Sequence, residues 1–383
     1  MNILLIEDEV SKRDSLTQII NSVSTNDQKI IENAISLTSA RRKLLSQRFD
    51  LIIFDIFLPY KDNDKESIDV SEDILGEFNH SDNYQSEAIA ITKYELEDIE
   101  NIESFNEMGV TVVHYNESSD SWKDSLRQKI TKISDKARFD FLIFCALSKE
   151  RDAYTQTLAK TGEKKIIKGL DCLEVSIEDH KGLCILPARM GLVNMAITAA
   201  KAIELFQPKI VAMSGICAGL KGETNFLDLV IADTCWEYQT GKYKDKKFTQ
   251  EPYQVSLTSQ IRTEISHFID KKSIVDRIKS NLYQSELSNS TILLGPLSSG
   301  SAVIADNMKM QEVGEQHRKL KAIEMEMYAL YEAAYQSQSK PEYFGVKSVV
   351  DLGDELKDDS FHATACVLSA RFVAEFIKYK ICI

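Results

Sequence analysis

Several features that would point to a membrane, secreted or zinc-dependent protein are missing from this sequence. No apolar run approaches the roughly 18 residues that a membrane span needs. The apolar start at residues 3–6 meets Glu7, Asp8 and Glu9 at once, which is not typical of a signal-peptide core. The seven cysteines form no C-x-x-C pair and the six histidines no H-x-x-x-H pattern, so we predict neither a disulfide framework nor a zinc site. We expect a cytoplasmic protein with no membrane contact.

An excess of basic residues is missing as well. Asp and Glu number 59 against 46 Lys and Arg, which gives a net charge of −13. Such a chain has no overall attraction for phosphate backbones, so we predict no nucleic-acid partner. At about 150 residues per domain, a length of 383 residues predicts two domains, or three.

The first part of the chain alternates short apolar runs with amphipathic stretches, the pattern of βαβ units around a parallel sheet. Buried strands are predicted at residues 2–6, 51–54, 88–91 and 110–113, and helices at 11–23, 37–46 and 118–136. The polar stretch 61–83 is interpreted as a long, mobile insertion. All seven cysteines lie beyond residue 136. We therefore divide the chain into domains of residues 1–135 and 136–383.

A second βα series follows in the second domain. Its strands are predicted at residues 139–147, 183–186, 210–213, 229–232, 291–294 and 343–350, and its two clearest helices at 195–205 and 363–377. Glycines cluster at strand ends, with Gly215 and Gly219 in one place and Gly295 and Gly300 in another. Because α/β sheets bind ligands at the carboxyl ends of their strands, we expect a site there.

Acidic residues close strands of the first domain. Glu7 and Asp8 end the first strand, and Asp55 ends the third. Carboxylates brought together repel one another unless a hard cation lies between them, and Mg²⁺ prefers such oxygen ligands. An aspartate held at a metal is also a competent nucleophile toward a phosphoryl group. Thr92 ends the fourth strand, where its hydroxyl could contact a phosphate.

This acidic pair, the Asp before Leu-Pro and the Thr of the next strand make residues 1–135 resemble the receiver domain of response regulators. The resemblance implies an α/β fold, a doubly wound, flavodoxin-like domain with five strands. It implies that Asp55 accepts phosphate, that Glu7 and Asp8 hold Mg²⁺ together with it, and that Thr92 is the switch hydroxyl. A cognate histidine kinase or another phosphodonor protein is the implied partner.

One departure from the receiver pattern concerns a lysine. Receivers carry a Lys after the fifth strand, whereas this chain reads His114-Tyr115-Asn116-Glu117 there. Lys93, next to the predicted switch hydroxyl, is a candidate substitute. The alternative is a degenerate receiver kept as a dimerisation or docking module.

Segments in order across the second domain resemble the nucleoside phosphorylase/nucleosidase superfamily. They are the opening A-L-x-x-E at 146–150, the motifs at 188–191, 214–220, 228–233 and 295–300, the E-M-E at 324–326 and the closing strand with Asp351. The resemblance covers essentially all of residues 139–383. It implies an α/β sandwich with a mixed, partly barrelled sheet, and no cofactor for this domain.

The chemistry of that superfamily needs three groups around a glycosidic bond. A purine leaves poorly as an anion, so a carboxylic acid must give a proton to its N7. The sugar becomes oxocarbenium-like and is stabilised by carboxylates, and water is held on the opposite face. By the resemblance, Asp351 is the acid, Glu150 activates or orients water, and Glu326 binds the ribose hydroxyls.

The remaining substrate contacts that the resemblance implies are Met325 against the sugar, the backbone of Val303 and Ile304 against adenine, and Glu324, Ser214, Gly215 and Arg189. Glu324 and Glu326 both face the site if their segment is extended, whereas a local turn leaves only one inside. Taken singly, Glu150 could be a helix N-terminal acid and Asp351 a helix cap.

The choice between hydrolase and phosphorylase depends on one position. Phosphorylases of this superfamily hold phosphate with an arginine before the glycine loop, and Met213 stands there in this chain. A neutral thioether cannot bind a dianion, so water is the predicted nucleophile. Lys347 stands where related nucleosidases have Arg, and Val303 replaces an aromatic residue that would stack on adenine.

A receiver joined to a nucleosidase resembles the effectors of the Detocs anti-phage systems. This implies phospho-regulated cleavage of ATP into adenine and ribose triphosphate, by a homodimer or larger homo-oligomer. The triphosphate requires cations near the ribose 5′ end, and the candidates are Arg189, Arg151, Lys357 and His362. Three alternatives stay open: a methylthioadenosine/adenosylhomocysteine-type nucleosidase, a purine nucleoside phosphorylase, and a non-catalytic, nucleotide-sensing response regulator.

Overall fold

The computed structural model describes residues 1–24, 29–84, 86–95, 97, 99, 102–134, 139–245, 247–251, 253–353 and 359–382. The chain divides into two compact units, Met1–Ala137 and Arg138–Ile383, here called the N-terminal and C-terminal units. Each unit is described by itself.

The strands of the N-terminal unit are β1 (Asn2–Ile6), β2 (Ile30–Ala34), β3 (Leu51–Phe54), β4 (Phe57–Pro59), β5 (Ser67–Asp69), β6 (Glu87–Thr92) and β7 (Thr111–His114). Five of them form a parallel sheet in the order β2-β1-β3-β6-β7, while β4 and β5 form a separate hairpin. Without the hairpin this is the 2-1-3-4-5 order of flavodoxin-like folds. The predicted doubly wound parallel topology is therefore observed.

The helices of this unit are α1 (Val10–Ser22), α2 (Leu37–Ser46), α3 (Ser71–His80), α4 (Ile102–Glu107) and α5 (Ser121–Ser134). Alternate residues of β1 belong to two separate hydrophobic cores, one on each face of the sheet, because successive side chains of a strand point to opposite faces. Leu4 and Ile6 pack with α2, α3 and α4 on one face. Ile3 and Leu5 pack with α1 and α5 on the other.

The predicted mobile insertion at residues 61–83 is wrong in its second half. Helix α3 forms there, and its Ile74, Leu75 and Phe78 are buried in the core of the N-terminal unit. Glu72 and Asp73 in its first turn favour the helix macrodipole. The apolar residues of α3 are few among polar neighbours, but they recur at helical spacing and pack in the core of this unit.

The strands of the C-terminal unit are β8 (Phe141–Phe144), β9 (Lys160–Ile167), β10 (Leu170–Ile177), β11 (His180–Leu186), β12 (Ile210–Gly219), β13 (Leu229–Glu237), β14 (Gly241–Lys244), β15 (Lys247–Gln250), β16 (Gln254–Ser256), β17 (Ile292–Ser299), β18 (Ala322–Glu324) and β19 (Glu342–Asp351). Its helices are α6 (Ser148–Asp152), α7 (Leu192–Phe206), α8 (Ser259–Ile269), α9 (Lys272–Lys279), α10 (Asn307–Gly314), α11 (Met327–Gln336) and α12 (His362–Ile381).

Most of these strands build one mixed sheet that partly closes on itself. Strands β12, β19, β13, β17 and β18 pair in a ring, which returns to β12. From β12 the sheet extends through β8, β11 and β10 to β9. The predicted mixed, partly barrelled sheet is confirmed.

Strands β8, β12 and β19 run parallel to one another, so their carboxyl ends lie at one edge of the sheet. Helix α12 covers β12 and β19 from one side, with most of its length buried. All seven cysteines are free. None of the helices in the described residues is long and apolar enough to cross a membrane.

Candidate active site

A cavity of about 230 Å³ opens at the carboxyl ends of β8, β12 and β19. The loop after β8, the end of β12, the turn between β18 and α11, and the last residues of β19 all contribute to its wall. The predicted catalytic residues Glu150, Glu326 and Asp351 all line this cavity. Residues separated by 201 positions along the chain are thus brought to one place, from Glu150 to Asp351.

Glu150 is held in place by three backbone N–H groups. Its Oε2 accepts hydrogen bonds from the N–H groups of Ala146 and Leu147 at 2.7 and 3.0 Å. Its Oε1 accepts one from the N–H of Ile216 at 3.0 Å, and the side chain is 1% exposed. Glu150 is thus the helix N-terminal acid of α6 and also lines the cavity, while its role with water stays a prediction.

Gly215 lies directly beneath this carboxylate. A Cβ at position 215 would lie 2.4 Å from Oε1 of Glu150 and 3.0 Å from Nζ of Lys347. Any side chain there would displace both groups. The glycine is therefore required by the close approach of a carboxylate and an ammonium, rather than by contact with substrate.

Glu324 and Glu326 lie on the turn between β18 and α11, and both reach the cavity. Glu324 caps the first turn of α11: its Oε2 accepts from the N–H of Glu326 at 2.8 Å, and its Oε1 from the N–H of Met327 at 2.9 Å. Glu326 instead crosses to another segment, where its Oε1 accepts from the N–H of Gly191 at 3.0 Å. Glu324 therefore shapes the turn, and Glu326 presents a carboxylate to the cavity.

Lys347, on β19, is the counter-ion of both glutamates. Its Nζ lies 3.3 Å from Oε2 of Glu324 and 3.3 Å from Oε2 of Glu326. Its side chain is 1% exposed. A single buried ammonium thus neutralises part of a cluster that holds three carboxylates, Glu150 included.

Burial and neighbouring charge shift the pKa of both partners of this pair. Burial raises the pKa of Glu326 to about 7, with Glu324 and Glu150 adding to the rise and Lys347 opposing it. For Lys347, burial lowers the pKa, but the surrounding carboxylates outweigh that effect and raise it well above its ordinary value. Lys347 is therefore a permanent cation of the site.

Asp351 ends β19, lines the cavity and is half-buried. Its Oδ1 accepts a hydrogen bond from the N–H of Gly353 at 2.8 Å. Gly353 has a φ of +70°, a conformation that glycine adopts without strain. Asp351 lines the cavity next to this turn.

The remaining wall is largely aliphatic. Val303 and Ile304 line it, as predicted for the border of a base, and so does Met325. Met190 and Val350 add further apolar surface. A flat, apolar ring system fits a lining of this kind better than a polar ligand does.

The cations that the sequence offered for a 5′ phosphate are distributed differently from the prediction. Arg151 is wrong as a candidate, because it is 4% exposed and its Nη1 pairs with Oδ1 of Asp171 at 2.7 Å. Arg189 is exposed and lines a second cavity of about 630 Å³. His362 lines the first cavity, and Lys357 lies outside the described residues.

Lys149 was not predicted, yet it lines the first cavity and its Nζ lies 2.5 Å from Nδ1 of His362. Its position next to Glu150 in the A-L-x-x-E motif was the available signal. The two cavities share the lining residues Ala146, Leu147 and Met190, so they adjoin.

The prediction that Ser214 contacts substrate is wrong. Its hydroxyl is fully buried, accepts a hydrogen bond from the Tyr154 hydroxyl at 2.9 Å and lies 3.4 Å from Sγ of Cys145. The alternation of side chains along β12 turns Ser214 into the core.

In the N-terminal unit, the predicted acids gather around a lysine. Glu7 and Asp55 are buried, Asp8 is half-buried, and Thr92 is buried at the end of β6. The Nζ of Lys12 lies 2.5 Å from Oδ2 of Asp55 and 2.7 Å from Oε2 of Glu7. Burial raises the pKa of Glu7 to about 7, although Lys12 opposes the rise.

These acids do not fit a divalent cation as they are arranged. Among the residues that the structure describes, no group of three or more His, Cys, Asp or Glu is placed to hold a metal ion. The Oδ1 of Asp55 accepts from the N–H of Ile56 at 2.7 Å, and its Oδ2 is taken by Lys12. Magnesium binding therefore stays a prediction.

Lys12 could have been found from its spacing. It continues the buried stripe of α1 that Leu16, Ile19 and Ile20 form. A lysine on the apolar face of an amphipathic helix needs a buried acid, and the sequence offers Glu7 five residues earlier. Lys93, the predicted substitute, instead pairs with Glu9 at the surface.

Comparison with known proteins concerns mainly the C-terminal unit. Residues 140–378 match the phosphorylase superfamily. ATP nucleosidase Cap17 of Escherichia coli is 24% identical over 205 residues, which are 50% of this chain but only 40% of the length of Cap17. These findings support the prediction of an N-glycosidic bond hydrolase.

Two further similarities bear on the whole chain and on the fold. The uncharacterized protein y4jS of Sinorhizobium fredii is 26% identical over 401 residues and covers 97% of both chains. The crystal structure of a 5′-methylthioadenosine/S-adenosylhomocysteine nucleosidase of Helicobacter pylori superposes with a TM-score of 0.52 at 14% identity. That superposition covers 63% of this chain and 100% of the other, and it shows the nucleosidase-type fold.

Proposed function

The chain belongs to the phosphorylase superfamily, and from this premise we propose that it is a purine nucleosidase that hydrolyses the N-glycosidic bond of ATP or a related adenine nucleotide. The observation that carries the proposal is the convergence of Glu150, Glu326 and Asp351 on one cavity. Each of these acids has an ordinary structural role when taken singly. Their meeting at one apolar cavity is what favours catalysis.

The division of labour follows from how each acid is held. Glu150 has both oxygens aligned by backbone N–H groups, so it can orient a water molecule. Glu326 can accept hydrogen bonds from ribose hydroxyls and, with Glu150, stabilises the developing positive charge of the sugar. Asp351, which lines the same cavity, supplies the proton that the departing purine needs.

Water is favoured over phosphate as the nucleophile by the charges of the cavity. Met213 is completely buried and offers no positive charge. The buried cation Lys347 is already paired with Glu324 and Glu326. A phosphate dianion placed here would face carboxylates without a free cation among the described residues of the buried cluster.

A nucleotide is favoured over a nucleoside by the cations at the mouth. Lys149 and His362 lie together at the rim of the first cavity. Arg189 lies in the adjoining second cavity, which has room for a chain of phosphates. With base and ribose in the first cavity, the phosphates would extend past Lys149 toward Arg189. Similarity to an ATP nucleosidase agrees with this substrate.

A methylthioadenosine/adenosylhomocysteine-type nucleosidase is the second candidate. The aliphatic lining around Met190 and Val303 would accommodate a thioether at the 5′ position. The two candidates differ in whether the rim cations contribute to binding, which makes them separable by experiment.

We further propose that the N-terminal unit is a receiver that regulates this activity in an anti-phage response. Asp55 would accept a phosphoryl group from a kinase or other donor protein, and Thr92 would respond to it. Uncontrolled cleavage of ATP would harm the host cell, so a switch that shifts a pre-existing equilibrium by a few kcal/mol is expected. A homodimer or larger homo-oligomer is the proposed assembly, which light scattering of the purified protein would test.

The test follows adenine release from ATP, AMP, adenosine and methylthioadenosine, with and without a small phosphodonor. Asp351→Asn should abolish release, whereas Asp270→Asn, at an exposed position on the end of α8, should not. Asp55→Ala should remove only the donor-dependent part. Adenine release that persists in folded Asp351→Asn protein would remove that residue from the mechanism, and preference for methylthioadenosine would select the second candidate.

A further inference from the structure

The ion pair at the centre of the N-terminal acids is enclosed by protein. Lys12 is 0% exposed, and its Nζ bridges Oδ2 of Asp55 and Oε2 of Glu7 at 2.5 and 2.7 Å. The contact with Asp55 is a hydrogen bond, whereas the contact with Glu7 is an ion pair in which Oε2 accepts no hydrogen bond. The ammonium therefore occupies the space between the two carboxylates.

This arrangement places opposite charges next to each other in a buried site. A buried ammonium without a partner is strongly unfavourable, and so are two buried carboxylates side by side. Lys12 belongs to the buried face of α1, so the packing of that helix fixes its position. Glu7 and Asp55 are fixed by the ends of β1 and β3. The fold itself thus supplies the cation that the acids need.

Among the residues that the structure describes, no other lysine is paired with Glu7 or Asp55. Lys93 donates to both oxygens of Glu9 at 2.7 and 2.6 Å, and its side chain is 44% exposed. The segment after β7 places the ring of Tyr115 there, with Nζ of Lys12 5.6 Å from the ring centroid. Among the described residues, Lys12 is the only lysine paired with Asp55.

We propose that Lys12 is the resident cation of this acidic site and that a divalent cation binds to it only by displacing the Lys12 ammonium. Mg²⁺ requires a near-octahedral set of oxygens, usually with one or two carboxylates. Of the three acids predicted as its ligands, Glu7, Asp8 and Asp55, two already have an oxygen in contact with Lys12, namely Oε2 of Glu7 and Oδ2 of Asp55. Metal binding is consequently weakened by competition with an internal charge. This inference is independent of the nucleosidase activity.

The test measures Mn²⁺ binding to the full chain by isothermal titration calorimetry. Lys12→Met removes the competing charge at similar length, and Lys93→Met is the matched control at the same edge of the sheet. We expect Lys12→Met to bind Mn²⁺ about tenfold or more tightly than the wild type, since one unit charge at contact distance is removed. Lys93→Met should stay within about twofold, because its partner is exposed.

Two further variants keep the test decisive. Lys12→Arg retains the charge, so its Mn²⁺ affinity should stay close to that of the wild type. Should Lys12→Met fail to fold by circular dichroism, the double variant Glu7→Gln/Lys12→Met loses one charge of each sign and is compared with Glu7→Gln alone. The inference would be overturned by equal Mn²⁺ affinities of the wild type and Lys12→Met, or of Glu7→Gln and Glu7→Gln/Lys12→Met, when both proteins are folded. It would also be overturned if Lys12→Arg bound Mn²⁺ as tightly as Lys12→Met.

Discussion

Lys347 and Glu326 form a buried ion pair, with Nζ of the lysine 3.3 Å from Oε2 of the glutamate. The pair joins β19 to the turn that precedes α11. Glu326 in turn receives the N–H of Gly191 from the start of α7. Three segments distant in sequence are thus tied together beside the cavity, so we expect this lysine to affect both the stability of the C-terminal unit and the position of the carboxylate proposed to bind ribose.

Removal of that cation should be costly. In Lys347→Met, the carboxylates of Glu324 and Glu326 lose their buried counter-ion, and breaking such a pair from one side costs about 3–5 kcal/mol of the free energy of unfolding. Thermal unfolding measures the loss. Lys209→Met, whose side chain is 83% exposed, should change stability by no more than about 0.5 kcal/mol. A Lys347→Met protein as stable as the wild type would show that the carboxylates are neutralised in another way.

The raised pKa of Glu326 predicts a pH-dependent stability difference between the wild type and Glu326→Gln. The ordinary pKa is 4.5 and the value in the folded protein is about 7. Between these values the folded protein holds a proton that the unfolded chain has released, so stability falls as pH rises through this window. Glu326→Gln cannot titrate and lacks this loss.

The measurement is the thermal midpoint of both proteins from about pH 5 to about pH 8. The wild-type midpoint should decline relative to that of Glu326→Gln as the pH approaches 7 and then run parallel to it. Glu7 titrates in both proteins, and its contribution cancels in the difference. A difference that grows in favour of the wild type with rising pH would contradict the raised pKa.

Gly215 offers a test of how closely Glu150 must be placed. In Gly215→Ala the new Cβ would lie 2.4 Å from Oε1 of Glu150, so the carboxylate has to move. A displacement of about 1 Å near reacting atoms can lower kcat by about a hundredfold. We expect a loss of that order with little change in KM. Gly314→Ala, which meets only a leucine methyl at 3.3 Å, is the control and should keep its activity.

Strands buried on both faces could be placed from the sequence because every residue in them is apolar. Strand β3, Leu51–Phe54, was predicted at its observed bounds and is buried throughout. Strand β9, Lys160–Ile167, was missed, since almost all of its side chains are exposed and it pairs with β10 through backbone groups and a surface ion pair rather than through apolar contacts. Backbone hydrogen bonding at a sheet edge leaves no hydrophobic pattern to detect.

The candidate sites likewise contain residues that could be predicted from the sequence and residues that could not. Glu150, Glu326 and Asp351 were predicted from motifs that resemble those of a superfamily, and the structure brings all three to one cavity. Lys12 was missed because a single lysine in a helix resembles a surface charge until the fold brings Asp55, 43 residues away, against it. Ser214 was misplaced because the motif gives its position in the chain but not the face of β12 to which it points.

The rim cation Lys149 decides between the two candidate substrates. Its Nζ lies beside Nδ1 of His362 at the cavity mouth. A hydrogen bond to a charged group contributes about 1.5–3 kcal/mol, so Lys149→Met should lower kcat/KM for ATP by about tenfold or more while leaving methylthioadenosine nearly unaffected. Lys164→Met, which removes a surface lysine paired with Asp152, is the matched control and should change neither value. An equal loss for both substrates would mean that Lys149 supports the position of its neighbour Glu150 rather than recognising phosphate. Of the cations proposed to bind phosphate, His362 and Arg189 would then remain.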